Sequence, residues 1–209
     1  EPMVWRSHQM FLERFRSFNL RPEVLTTCYA MAENVFAVTQ GGLDGPVTVD
    51  EVDQRSYLVD RIARPAVNGE LTIKMLSCGR PIANTKVRVL DEKHRELPER
   101  QIGEIALLSD CMLNEYYRRP DVTAKAFHNG WYMTGDLGYM ARGEVYVTGR
   151  KKDLIIVGGK NIYPQDLESL ASEVEGIHPG RLAPLGVNNE DNGTQEEVIV
   201  AEDENETVD

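Results

Sequence analysis

The sequence predicts a mixed α/β chain in which short helices punctuate a β-rich body. Apolar residues recur at helical spacing only in brief stretches, at residues 7–19, 32–39, 120–127 and 165–174. From residue 71 onward, strand-length runs of Val, Ile, Leu and Tyr alternate with turns containing Gly and Pro. No apolar run approaches the ~20 residues that a membrane-crossing helix needs.

The elements follow in order. Phe11, Leu12, Phe15 and Phe18 share one face of the first helix, and Arg21-Pro22 stops it. Residues 24–29 read as a buried strand running into a second helical stretch at 32–39. Residues 40–70, rich in Gly, Asp, Val and Arg with weak periodicity, are expected to form a long irregular insertion, a type of segment that often carries function. Strands are predicted at 71–76, 86–90 and 103–108, separated by Gly-Arg-Pro-Ile and Leu-Pro-Glu-Arg turns. Pro120 opens a short helix with alanines inside it. Arg142-Gly143, set between strands 137–140 and 144–148, is a hairpin signal. A strand at 154–157, a Gly158-Gly159 turn and a strand at 160–163 come next. Pro164 then begins a helix over 165–174, and strands at 182–187 and 197–201 close the pattern.

Charge narrows the function classes. The net charge is -11, yet no Lys or Arg follows Arg181, where nine acids fall. Residues 1–181 are therefore close to neutral, which gives no reason to expect binding to nucleic acid or an anionic membrane. Cys28, Cys78 and Cys111 are odd in number and lack metal-site spacing, so they read as buried, reduced thiols. With no signal-like opening and no membrane span, a cytoplasmic protein is expected. Glu1-Pro2 opens without a start methionine and the chain stops soon after its last strand-like run, so it reads as a fragment.

Three stretches carry chemistry. In "CYAMAE", residues 28–33, an aromatic ring at a strand end could stack a base, and the carboxylate of Glu33 four residues on suits Mg2+. A core tyrosine and a solvated glutamate near a helix N-terminus would look the same. In "WYMTGDLG", Asp136 between two glycines is expected on an exposed tight turn, where its carboxylate could accept both hydroxyls of a ribose. A turn aspartate with no ligand is equally compatible. In "GRKKD", Arg150 offers a planar fork for ribose or phosphate oxygens, while Lys151 and Lys152 could be a solvated charge run. Neither a Walker loop nor a GxGxxG loop is present.

Their order is more telling than any one alone. "CYAMAE", "GEIALLSDCMLNEYYRRPDVTAKAF", "GWYMTGDLG" and "GRKKDLIIVGGKNIYPQDLE" together resemble the acyl-adenylate-forming superfamily. That superfamily includes acyl-CoA synthetases, fatty-acyl-AMP ligases, peptide-synthetase adenylation domains and luciferases. "SCGRPI", "NIYPQDLE", "HPGR" and the long segment between Glu33 and Gly79 are most similar to the fatty-acyl-AMP ligase branch.

The resemblance implies a layout and roles. Residues 1–150 would be the C-terminal part of a large adenylating domain, and 151–209 the start of a small mobile lid. Tyr29 would stack on adenine, with Ala30 and Met31 near the acyl-phosphate and acyl tunnel. Glu33 would help hold Mg2+ and phosphate, Asp136 the ribose of ATP with help from Arg150, and Lys152 would be the hinge. Gly158-Gly159 and the strand after them would face the site during thiol transfer. The implied substrates are ATP and a fatty acid or other carboxylate, and the acyl acceptor would be an acyl carrier protein or the thiol of CoA. Ala30 stands where the family usually has glycine, and the family's phosphate loop and C-terminal adenylation lysine are not in this sequence. An acyl-CoA synthetase and a non-catalytic interaction module are the rival readings.

Overall fold

Residues 3–157, 160–189 and 194–203 are described in a computed structural model of the protein. They divide into a first unit, Glu1–Thr148, and a second, Gly149–Asp209. The mixed α/β class predicted from periodicity is the class observed.

In the first unit, α1 (Trp5–Arg14) ends earlier than its apolar spacing suggests, because Arg16–Phe18 tightens into a 3-10 turn closed by Asn19 at φ 55°. Two strands follow, β1 (Thr27–Ala30) and β2 (Ala37–Gly41), paired antiparallel with Tyr29 opposite Thr39. This corrects the helix expected over 32–39. Ala32–Asn34 makes only one 3-10 turn, Val35 enters the left-handed region at φ 62°, and the chain reverses into β2. Val38 and Thr39 are β-branched and fully buried, so pairing with β1 overrides a helical spacing too short to be decisive.

The expected irregular insertion is partly regular. Within it β3 (Val49–Asp53) pairs with β4 (Thr72–Leu76), Val49 facing Leu76, and Ser56–Asp60 forms one π-type turn. Asp50, 3% exposed, accepts two bonds from the Arg100 guanidinium at 3.0 and 3.2 Å and one from the Tyr139 hydroxyl at 2.9 Å. A buried carboxylate needs such partners, and they tie the insertion to the larger sheet.

Beyond β4, the "SCGRPI" stretch runs into the two-residue strand β5 (Arg80–Pro81), which pairs with β2. Gly79 sits at φ 91°, and a Cβ there would lie 1.9 Å from the Gln40 carbonyl carbon, so only glycine is tolerated. Around it the Thr27 hydroxyl donates to the Ser77 carbonyl at 2.7 Å and the Thr39 hydroxyl to the Cys78 carbonyl at 2.6 Å.

The main sheet has β6 (Thr85–Leu90), β7 (Gly103–Ser109), β9 (Trp131–Ala141) and β10 (Glu144–Arg150) in the order β10-β9-β7-β6. Helix α2 (Pro120–Ala126) and the short β8 (Phe127–His128) lead into β9. Arg142 and Gly143 both take positive φ, 54° and 76°, the geometry of a tight two-residue hairpin. Ile105, Leu107, Tyr132, Val145 and Val147 from this sheet pack with Tyr29, Val38 and Cys78 into one apolar cluster.

The second unit starts with a 3-10 turn, Lys151–Asp153, and continues with β11 (Ile155–Val157) and β12 (Lys160–Ile162), paired so that Ile155 faces Ile162. Gly158 and Gly159 lie outside the described residues. Helix α3 (Pro164–Ala171) precedes the long hairpin of β13 (Ile177–Asn189) and β14 (Thr194–Asp203), with Leu185 opposite Val198. Ile155, Tyr163 and Ala171 are buried apolar residues among those described in this unit. Of the three cysteines only Cys78 is buried; Cys28 is half-buried and Cys111 exposed, which corrects the expectation for those two.

Candidate functional site

The candidate site residues of the first unit come from two strands far apart in sequence. β1 ends where its pairing with β2 shifts register between Tyr29 and Ala30. Burial alternates along β1, so the Tyr29 side chain lies inside and Ala30 is exposed. The Tyr29 amide donates to the Thr39 hydroxyl at 3.3 Å, and the residue is 8% exposed within the apolar cluster. Met31 is partly buried against the same cluster.

Asp136 is not on an exposed turn, as its flanking glycines suggest. It sits inside β9 at 9% exposure, next to an irregularity in the β7–β9 pairing between Glu104 and Ala106. There residues 134–136 of β9 stand opposite Ile105 alone, and extra residues at such a point turn a side chain away from its normal face. Gly135 supplies the required positive φ of 71°, and its amide donates to Glu104 Oε1 at 3.2 Å. Thr134 completes the brace: its hydroxyl accepts the Asp136 amide at 3.0 Å and donates to the Ile105 carbonyl at 2.8 Å.

The two strands meet through their side chains. The Tyr29 hydroxyl donates to Asp136 Oδ2 at 2.6 Å across 107 positions of sequence. Burial first, then the adjoining Asp136 charge, holds the Tyr29 hydroxyl far above the usual phenol range, so it stays a donor.

Glu33 lies in the turn after β1 and is half-buried. Its Oε1 accepts the Tyr116 hydroxyl at 2.9 Å, and Tyr116 is in turn 2.9 Å from the Tyr132 hydroxyl. With the Tyr116 proton directed at the carboxylate, Tyr132 is the donor of that second bond. The Leu113 amide also donates to the Glu33 carbonyl at 2.7 Å, so one loop holds both backbone and side chain. Burial raises the Tyr132 hydroxyl well above its ordinary range, with Tyr116 and Glu33 adding to it.

No group of three or more His, Cys, Asp or Glu side chains capable of holding a metal occurs among the described residues. A single carboxylate such as Glu33 fits Mg2+ only where the ion fills its remaining positions with phosphate and water, since it takes one or two carboxylates.

Arg150 and Lys152 belong to the second unit, Arg150 as the exposed last residue of β10 and Lys152 exposed in the turn after it. Tyr116, Tyr132, Thr134 and Glu104 were not anticipated as site residues. Each lies in or beside a quoted motif, but nothing local marks a tyrosine or threonine as a buttress for a distant carboxylate.

No family model matches the chain. A 4-hydroxyphenylalkanoate adenylyltransferase of Mycobacterium marinum is 34% identical over 196 residues, covering 88% of this chain and 31% of its own. A sulfoacetate–CoA ligase of Cupriavidus necator is 41% identical over 125 residues, 59% of this chain and 24% of that enzyme. A solved structure from a study of fatty acyl-adenylate ligases of E. coli and L. pneumophila superposes with a TM-score of 0.88 at 28% identity, over 100% of this chain and 37% of that one. The chain thus spans about a third of the length of the first relatives it matches. No described helix is long and apolar enough to cross a membrane. With adenylyltransferases and acyl-CoA ligases among its sequence relatives, and fatty acyl-adenylate ligases and peptide-synthetase adenylation domains among its structural neighbours, the chain belongs to the acyl-adenylate-forming superfamily.

Proposed function

We propose that the protein containing this chain activates a fatty acid, or another carboxylate, with ATP. The carboxylate oxygen attacks the α-phosphorus, the bond to the bridging oxygen breaks, and pyrophosphate leaves. A thiol then attacks the acyl carbon of the acyl-AMP, releasing AMP and the thiol proton. The observation that carries this reading is the 2.6 Å bond joining Tyr29 to Asp136, which unites the two motifs assigned to the nucleoside.

A carboxylate has about four acceptor sites, so Asp136 can hold a tyrosine and a ribose diol together. Tyr29 and the exposed Ala30 border the same place, and Arg150 is assigned to the nucleotide as well. Glu33 is the residue that would hold Mg2+, which neutralises charge building on phosphate oxygens when it is bound. Tyr116 and Tyr132 keep that carboxylate from swinging away. Residues 1–150 then form part of the large domain, and 151–209 the start of a lid that turns about Lys152 between the two half-reactions.

ATP–pyrophosphate exchange on the full-length protein with a panel of fatty acids tests the adenylation step. Failure of every acid to support exchange would reject it. Asp136→Ala is expected to lower ATP use by about tenfold to a hundredfold, from the loss of bonds to a charged acceptor. For the acceptor we favour a phosphopantetheine arm on a carrier protein. In that case acyl-AMP accumulates until the carrier is added, whereas prompt thioester formation with free CoA would make it an acyl-CoA synthetase.

A further inference from the structure

We infer that Tyr29 acts on the nucleoside through Asp136: its buried hydroxyl is a positioning group that sets the direction of the ribose-binding carboxylate. The inference rests on the assignment of Asp136 to ribose. Restraints of two kinds act on Asp136. The brace of Thr134 and Gly135 fixes its backbone, by bonds of 3.0 and 3.2 Å, but leaves the side-chain torsions to other groups. The Tyr29 hydroxyl, 2.6 Å from Oδ2, restrains those torsions.

Tyr29 is suited to the task because it is itself immobile. Its amide is bound to Thr39, whose hydroxyl is anchored on the Cys78 carbonyl at 2.6 Å. Tyr29 belongs to the same buried apolar cluster as Val38, Ile105, Leu107 and Tyr132. Whatever its ring contributes to the base, its hydroxyl reaches the carboxylate assigned to the sugar. A ribose diol binds a carboxylate well only when both oxygens face it. A rigid donor that orients the carboxylate beforehand saves ordering cost on binding.

The test uses the full-length protein, measuring equilibrium binding and pyrophosphate exchange with ATP and with 2′,3′-dideoxy-ATP. Tyr29→Phe keeps the ring and removes only the hydroxyl. It is expected to weaken ATP about tenfold and to leave dideoxy-ATP unchanged, because that analogue makes no use of the carboxylate's direction. Asp136→Ala should erase the preference between the two nucleotides. If Asp136→Ala erases it and Tyr29→Phe does not reduce it, the inference is wrong and the ribose assignment stands. Equal weakening of both nucleotides by Tyr29→Phe would mean a direct or merely structural role, and also overturns it. An undiminished preference in Asp136→Ala removes the ribose assignment and the inference with it. Should Tyr29→Phe not fold, 3-fluorotyrosine at position 29 keeps ring and hydroxyl but makes the latter a stronger acid. The preference ratio is then expected to move, and an unchanged ratio overturns the inference.

Discussion

Glu33 shows how a single side chain takes its meaning from others. Alone it is a half-exposed glutamate in a turn; with Tyr116 and Tyr132 it is the end of a chain of hydroxyls rooted in the apolar cluster. Tyr116→Phe removes the donor to Glu33 and the acceptor for Tyr132. It is expected to cost about 1 kcal/mol of folding stability, read from the urea midpoint. Glu33→Gln keeps the size but not the charge. In the full-length protein it should raise the Mg2+ concentration required for half-maximal pyrophosphate exchange. Equal Mg2+ requirements in mutant and wild type would take Glu33 out of the metal's surroundings.

At the scale of elements, the close approach of strands decides what is tolerated. Gly79 lies where β5 begins to run along β2, with Gln40 and Gly41 backbone atoms within 2.1 Å of where a Cβ would be. Gly79→Ala is therefore expected to destabilise the chain by more than about 3 kcal/mol, combining overpacking with an unfavourable φ. Thermal unfolding followed by circular dichroism checks this, and a near-native midpoint would contradict it. Asp50 plays a different part, joining β3 of the insertion to Tyr139 on β9 and to Arg100. Asp50→Ala leaves a partly buried guanidinium without its carboxylate, and a loss of about 3–5 kcal/mol is expected. The same competition explains where local spacing and the folded elements differ. Residues 32–39 show helical spacing, but Val38 and Thr39 gain more from burial between β1 and the Ser77–Gly79 segment than a short isolated helix could offer. The strand β3 was hidden because its partner β4 begins some 20 residues later.

For the whole molecule, the division between Thr148 and Gly149 places in the second unit both Arg150, at the end of β10, and Lys152, in the short exposed turn after it. If Lys152 is the pivot of a moving lid, a restriction there should separate the two half-reactions. Lys152→Pro in the full-length protein is expected to retain pyrophosphate exchange while slowing acyl transfer to the thiol by about tenfold or more. Single-turnover transfer from preformed acyl-AMP measures this. Equal effects on both steps would argue against a hinge.

Much of this protein was legible before any coordinates. The hairpin at Arg142-Gly143, the helices begun by Pro120 and Pro164, and the final pair of strands are dictated by local backbone preferences that residue type announces. The order of the motifs likewise pointed to the superfamily. Only the tertiary structure decided that Asp136 is buried at a strand irregularity rather than exposed on a turn, that Tyr29 donates to it, and that Tyr116 and Tyr132 hold Glu33. Such contacts join residues 16 to 107 positions apart. Periodicity and turn chemistry report what a segment prefers over a few neighbouring residues. Which carboxylate meets which hydroxyl is settled by how sheets pair and what their packing buries.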